Sequence, residues 1–175
     1  MNVISGFTGE YAFLSNFHES IVEFERSDGR MISFTTAEAA FQASKYLAMD
    51  CSDLDKMRYV HKIQQAVTPK QAKFFGGKVD IDLDKWESIK VDCMRQVIYS
   101  KFSYVGPYGP TMARALLKTG DAMLVESNNW SDTYWGRCNG KGYNKLGVVL
   151  MEVRGSLLWE NRRAKMSEQN VEMGS

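Results

Sequence analysis

Apolar residues follow two different periods along this chain. Over residues 1–34 they read as β, with Val22 and Phe24 on one side of Ser27-Asp28-Gly29-Arg30 and Met31, Ile32 and Phe34 on the other. Asp-Gly between two such runs predicts a hairpin. Just before it lies the aromatic stretch Phe13-Leu14-Ser15-Asn16-Phe17. That stretch reads either as a strand end with Asn16 in a turn or as the wall of a pocket.

From Thr35 onward the spacing becomes helical. Ala37, Ala40, Phe41, Ser44 and Leu47 predict one buried stripe on a helix running to about Met49. Ser52 with Asp55 opens a second helix, to about Val67. Thr68-Pro69 fits the cap and first position of a third, which Gly76-Gly77 ends. Asp84-Lys85-Trp86-Glu87 reads as a capping box before a long helix with Ile89, Cys93, Met94, Val97, Ile98 and Phe102 inward. The turn cluster Gly106-Pro107-Tyr108-Gly109-Pro110 precedes a helix from about Thr111 to Lys118 and a short buried strand at residues 122–126. Asn144 is placed to cap a last helix carrying Leu146, Val149, Leu150, Val153 and Leu157. Beyond Trp159 the chain turns polar, so residues 160–175 are expected to form a disordered tail. There is no repeat and no inter-domain linker.

Bulk properties narrow the function more than the fold. A chain of 175 residues, 44% hydrophobic and 25% charged, suits one ordinary globular domain. Its net charge of +1 lacks the basic excess of a non-specific nucleic-acid binder. Cys51, Cys93 and Cys138 form no close pair and read as free thiols in a reducing compartment. With no leader pattern and no run near the roughly 20 apolar residues of a membrane span, a cytoplasmic protein without membrane contact is expected. His18 and His61 lie far apart and no metal-ligand spacing occurs, so neither a metal nor a cofactor is expected.

Two stretches carry candidate chemistry. In the first, seven residues at about 100° each return Lys45 to within roughly 20° of Glu38. Gln42, at i+4, shares that face. An acid, an amide and an amine would then project from a helix whose back is small and apolar. Thr35 and Glu38 are equally a capping box, in which Glu38 merely accepts the Thr35 backbone N–H and Lys45 is solvated. Trp86 is likewise either a core anchor or a site residue.

The second stretch runs from Ser131 to Asn144 and is rich in Gly, aromatic and basic residues. Its glycines and the helix start behind it suggest an anion site, with Arg137, Lys141 and Lys145 adding positive charge. It fits neither G-x-x-x-x-G-K-[ST] nor the dinucleotide glycine spacing, which argues against an ATPase or an NAD dehydrogenase. Asp132 places an acid beside the aromatic wall of Trp135.

Phe13-Leu14-Ser15-Asn16-Phe17, Thr36-Ala37-Glu38-Ala39-Ala40-Phe41-Gln42-Ala43-Ser44-Lys45, Lys85-Trp86-Glu87, Asp132-Thr133-Tyr134-Trp135-Gly136, Asn144-Lys145-Leu146-Gly147 and Leu150-Met151-Glu152-Val153-Arg154 together resemble the NADAR family of YbiA-like N-glycosidases. The match runs in order over about residues 5–155. The resemblance implies an α+β, helix-rich single domain over residues 1–159, with a small N-terminal β-hairpin or sheet. It implies a hydrolase cutting the bond between a ribose C1′ and a nitrogen. Family substrates include phosphorylated ribosylamino-pyrimidine intermediates of riboflavin synthesis and ADP-ribose attached to guanine. Nucleic acid would then enter only as a modified substrate.

By matching position, the resemblance places the catalytic acids on Glu38 and Asp132, the site tryptophan on Trp86 and the motif lysine on Lys45. Asn16, Phe17, Gln42, Trp135, Gly136, Arg137 and Asn144 become candidate substrate-binding residues. Two positions depart from the family pattern. Ala39 stands where His is usual, and Cys138 where Gly is frequent. Two acids would divide the labour of C1′–N cleavage, one protonating the leaving nitrogen and the other stabilising the cation or activating water. Lys45 would help by charge, or would capture a ring-opened C1′ as a Schiff base. A non-catalytic binder of ADP-ribose or a related nucleotide is the rival reading, which the substitution at Ala39 favours.

Overall fold

Thr36 ends a strand and starts a helix, and the rest of the chain wraps around that junction. The computed structural model describes residues 2–26, 29–104 and 109–173, with side chains as far as Ser167. Helix α1 (Ala37–Ala43) has all seven residues buried. Its N-terminus is capped by the Thr36 hydroxyl, which accepts from the Ala39 backbone N–H at 3.1 Å. The cap is therefore Thr36 and not Thr35, and Ala39 stands where a capping box needs Glu. The capping-box reading of Glu38 does not hold.

The stripe predicted on α1 also needs correction. The α-helix gives way at Ser44 to a 3₁₀ segment, Ser44–Ala48. The tighter turn rotates the later residues out of register, and Leu47 is left 37% exposed. Four small alanines let neighbours close on α1 from every side, so its polar face is buried along with its apolar one.

The remaining helices build the shell. They are α2 (Asp53–Gln64), α3 (Pro69–Gly76), α4 (Leu83–Phe102), α5 (Gly109–Lys118) and α6 (Lys145–Met173). Ser52 and Thr68 cap α2 and α3 as their sequences predict. Helix α4 starts two residues earlier than expected, because Asp82 and not Asp84 accepts the Lys85 N–H. Met94, Val97, Ile98 and Phe102 of α4 are at most 2% exposed. Such side chains each contribute about 1.5–3 kcal/mol by leaving water.

Among the described residues, the strands form three separate two-stranded sheets. Strands β2 (Glu19–Glu25) and β3 (Met31–Thr36) are the antiparallel arms of the predicted hairpin, with Val22 opposite Phe34 and Phe24 opposite Ile32. Ser27 and Asp28 at its tip lie outside the described residues, as do Gly106, Pro107 and Tyr108 of the later turn cluster. Strand β1 (Val3–Ser5) runs parallel to β4 (Met123–Val125), which ties the N-terminal segment to the stretch after α5. Strand β5 (Ser127–Asn128) pairs in parallel with β6 (Arg137–Cys138) and closes the glycine-rich loop.

The tail expected to be disordered continues α6 without a break to Met173. Adding a residue to an existing helix is far easier than nucleating one. The turns anchored by the buried Val149, Leu150, Val153 and Leu157 supply the nucleus. Glu160 accepts from the Tyr99 hydroxyl at 2.7 Å, and Asn161 donates to Tyr104 at 2.7 Å. Among the described residues, no helix is long and apolar enough to cross a membrane.

Candidate active site

Glu38 is 6% exposed. Its backbone N–H donates to the Asn16 carbonyl at 2.9 Å, which ties α1 to the aromatic stretch before β2. Its Oε1 accepts from Gln42 Nε2 at 2.9 Å. Burial pushes the Glu38 carboxyl above its ordinary value and outweighs the Gln42 hydrogen bond and the charges of Lys73 and Lys45; the Asp132 charge pushes it further up. A carboxyl in this setting keeps its proton to higher pH and can donate it.

Lys45 does not stand above Glu38 as continuous α-helical spacing predicts. Its position in the 3₁₀ segment sends its ammonium to the Gly76 carbonyl at the end of α3, at 2.7 Å. It also lies 5.9 Å from the centre of the Trp86 ring. Burial lowers its pKa, the Glu38 charge opposes this, and the Lys73 charge adds to it. Gly76 is required here, since a Cβ would sit 1.9 Å from Gln42 Oε1. This close approach of α3 to α1 sets both the Gln42 amide and the Lys45 ammonium.

Trp86 belongs to the core and borders the site as well. It is 7% exposed and packs on Phe41 with ring centres 5.3 Å apart. Phe41 meets Trp135 edge-on at 5.1 Å. One α1 side chain therefore joins α4 to the glycine-rich loop.

The loop places Asp132 by backbone hydrogen bonds. Asp132 Oδ1 accepts from the N–H groups of Tyr134 and Trp135 at 3.1 and 2.9 Å. Asn128 grips the Asp132 backbone from both sides, donating to its carbonyl at 2.7 Å and accepting from its N–H at 3.2 Å. Ser131, just before it, takes a left-handed φ of 65°. Gly136 lacks a side chain where a Cβ would meet the Glu126 carbonyl at 2.4 Å and Asn128 at 2.7 Å.

The expected anion site at the start of α6 needs correction. The N–H groups of Asn144, Lys145 and Leu146 donate to the carbonyls of Gly136, Tyr134 and Trp135. The loop itself caps the helix, so those groups are not available to a phosphate. Asn144 is 2% exposed, with Oδ1 accepting from the Glu126 N–H and Nδ2 donating to the Leu124 carbonyl. It takes a left-handed φ of 54°, and its side chain fastens the loop to β4 and not to its own helix.

Arg137, by contrast, carries a buried Nε with no partner, and Asn16 and Gln42 each carry a buried, unpartnered amide oxygen. Buried polar atoms of this kind are rare and mark places where water or a ligand completes the bonding. Phe17 beside Asn16 is 37% exposed. Two surface grooves of about 320 and 780 Å³ lie against β2 and α4, and neither is lined by Glu38, Lys45 or Asp132. Among the described residues, no group of three or more His, Cys, Asp or Glu side chains is placed to hold a metal.

The profile of the NADAR domain matches residues 6–158. This chain belongs to the NADAR family. Among its relatives, the N-glycosidase YbiA of Shigella boydii is 34% identical over 86% of this chain and 84% of its own length. A chloroplastic riboflavin biosynthesis protein, PYRR of maize, is 30% identical over 85% of this chain, which spans 24% of the maize protein. The solution structure of Escherichia coli YbiA superposes with a TM-score of 0.70, at 31% identity, over 91% of this chain and 87% of that one. The helix-rich α+β domain of this NADAR protein is the fold of that structure.

The two departures from the NADAR pattern sit differently. Ala39 is buried and serves the Thr36 cap through its N–H. Cys138 exchanges backbone hydrogen bonds with Lys141 across the loop tip and remains a free thiol. The structure also brings in three charged groups that sequence reasoning did not select, Lys73, Lys101 and Glu126. Lys101 is 1% exposed and donates to the Ser15 carbonyl at 2.6 Å; burial pushes its pKa down to about 7. Burial and the Asp132 charge push Glu126 up to about 7, against Lys101 and Lys73. Lys73 and Glu126 lie in segments that read as ordinary helix surface and strand end. A lysine on the inward face of α4 was the one signal available in the sequence.

Proposed function

We propose that the Glu38 site hydrolyses the bond between ribose C1′ and nitrogen in a phosphorylated ribosyl-base substrate, of the ribosylamino-pyrimidine type or with ADP-ribose on guanine. The protein is a hydrolase of N-glycosyl bonds, as its NADAR relatives are named. The observation that carries the finer reading is the buried Glu38 carboxyl, whose pKa is raised by desolvation and by the nearby Asp132 charge. Breaking C1′–N leaves positive charge on the sugar and negative charge on the departing base. Glu38 supplies the proton to the base, and the Asp132 carboxylate stabilises the sugar cation. Lys45 holds positive charge nearby, anchored on Gly76. Trp135 and Phe17 offer aromatic surface to the base. Arg137, Lys141 and Lys73 offer side-chain charge to a phosphate, since the α6 N-terminus is already capped. The ribosylamino-pyrimidine class draws support from the riboflavin biosynthesis protein among the relatives.

Incubation with ribosylamino-pyrimidine phosphate and with ADP-ribosylated guanosine, followed by mass spectrometry of the released base, tests this reading. Release from either identifies the substrate class. Tight binding with no release from both would make the protein a nucleotide-binding module instead.

A further inference from the structure

Glu126 is a third carboxyl beside the site, and nothing in the two-acid scheme uses it. It follows directly on β4. Its backbone is fixed on both sides, with the N–H donating to Asn144 Oδ1 at 3.0 Å and the carbonyl accepting from the Arg137 N–H at 2.7 Å. Gly136 packs so closely that a Cβ there would be 3.1 Å from Glu126 Cγ. The side chain is half-buried and therefore reachable, but its Oε2 is enclosed and has no hydrogen-bond donor. An enclosed carboxylate oxygen without a donor is costly while charged and is relieved by taking up a proton.

Two links connect Glu126 with the Glu38 site. Lys101, which faces Glu126 from α4, donates to the Ser15 carbonyl, and the adjacent Asn16 carbonyl accepts from the Glu38 N–H. Asp132 and Lys73 each act electrostatically on both Glu38 and Glu126, so both carboxyls lie within reach of the same two charges. The charged groups around Glu126 are Asp132 from the loop, Lys101 from α4 and Lys73 from α3. One oxygen of Asp132 is occupied by two backbone N–H groups, which suits it to serve by charge and by shaping the loop.

We infer that Glu126 is the general base of this site, taking the proton from the water that adds to C1′. The inference rests on the N-glycosidase reading. In the step, the C1′–N electron pair moves to nitrogen, which takes the Glu38 proton. The water oxygen bonds to C1′ and gives one proton to the Glu126 carboxylate. Glu38 ends as carboxylate and Glu126 as acid, and exchange with solvent resets both. Burial with Asp132 puts Glu126 near pH 7, the range in which a base accepts a proton readily and gives it up again.

The test is Glu126→Gln, assayed for base release with and without azide, an anionic nucleophile that needs no deprotonation. The variant should lose about 10²–10⁴-fold in kcat with a melting temperature no lower than that of the wild type. Azide should restore release and leave a ribosyl azide visible by mass spectrometry. Glu38→Gln should not be restored, because its leaving base still lacks a proton. A folded Glu126→Gln enzyme with wild-type turnover, or a slow one that azide does not help, overturns the assignment. Should that variant fail to fold, the wild-type enzyme decides. Its kcat should rise with pH through about 7 in water and lose that limb when azide is the acceptor; a limb that persists with azide overturns the assignment. If the wild-type protein releases no base from any riboside, the N-glycosidase reading itself fails and this inference falls with it.

Discussion

Helix α1 and the loop from Glu126 to Asn144 bring carboxyls within electrostatic reach of one another by different means. On α1, Glu38 is deeply buried with one side-chain partner, Gln42, and its backbone position is secured separately by the Thr36 cap. In the loop, Asp132 holds the backbone around it through two N–H groups, so its carboxylate is both a charge and a piece of the frame. Chemistry and structure are separable on α1 and joined in the loop. Substitutions should reveal that difference.

The largest effect is expected from Glu38→Gln. Turnover should fall by about 10²–10⁴-fold, with the melting temperature nearly unchanged because Thr36 and not Glu38 caps the helix. A lowered melting temperature with turnover intact would reverse these roles.

Asp132 should divide where Glu38 does not. Asp132→Asn removes the charge but keeps an oxygen for the Tyr134 and Trp135 N–H groups. It should slow turnover by about 10²-fold at nearly native stability. Asp132→Ala should lose the rate and also about 1–2 kcal/mol of stability, as for a lost capping side chain. Equal denaturation midpoints for the Asn and Ala variants would show that the loop does not depend on this carboxylate.

Gly76→Ala probes the α1 side through its support. The new Cβ would meet Gln42 Oε1 at 1.9 Å, so Gln42 must leave Glu38 or α3 must shift. Overpacking of this kind costs about 1–3 kcal/mol, and kcat should fall with it. Unfolding curves and rates measured together check this, and a variant with native values for both would mean that the helix packing yields freely.

Lys101 and Glu126 predict a stability minimum. Lys101 drops from 10.5 to about 7 on folding, so the unfolded chain binds more protons between those values and stability rises with pH above about 7. Glu126 rises from 4.5 to about 7, so the folded chain binds more protons there and stability falls as pH rises toward 7. Denaturant unfolding at pH 5.5, 7 and 9 should find the wild type weakest near 7 relative to a Lys101→Met, Glu126→Gln variant. A constant difference between the two across this range would contradict the shifts.

The smallest effect is expected from deleting residues 163–175. The described side chains beyond Arg162 are exposed, and the deletion removes the Arg163 guanidinium from its place 4.5 Å over the Trp159 ring. Stability should change by no more than about 0.5–1 kcal/mol and turnover not at all. A truncated chain that fails to fold would show that the helical tail docks on the core.

Local sequence determined much of this protein. Ser52 and Thr68-Pro69 start their helices as written, and Val22, Phe24, Ile32 and Phe34 pair across the hairpin as their spacing predicts. These features depend on neighbours a few residues away. The motifs around Glu38 and Trp135 carried the family in the same way. Tertiary structure decided what lies between segments. It turned α1 into a 3₁₀ segment at Ser44 and sent Lys45 to Gly76, and it used the α6 N–H groups to fasten the loop. It also brought Lys101 and Glu126 together from separate elements, where shared burial shifts both. Periodicity along a chain shows which face of an element turns inward, but desolvation depends on what other segments cover that face, and only the assembled fold fixes this.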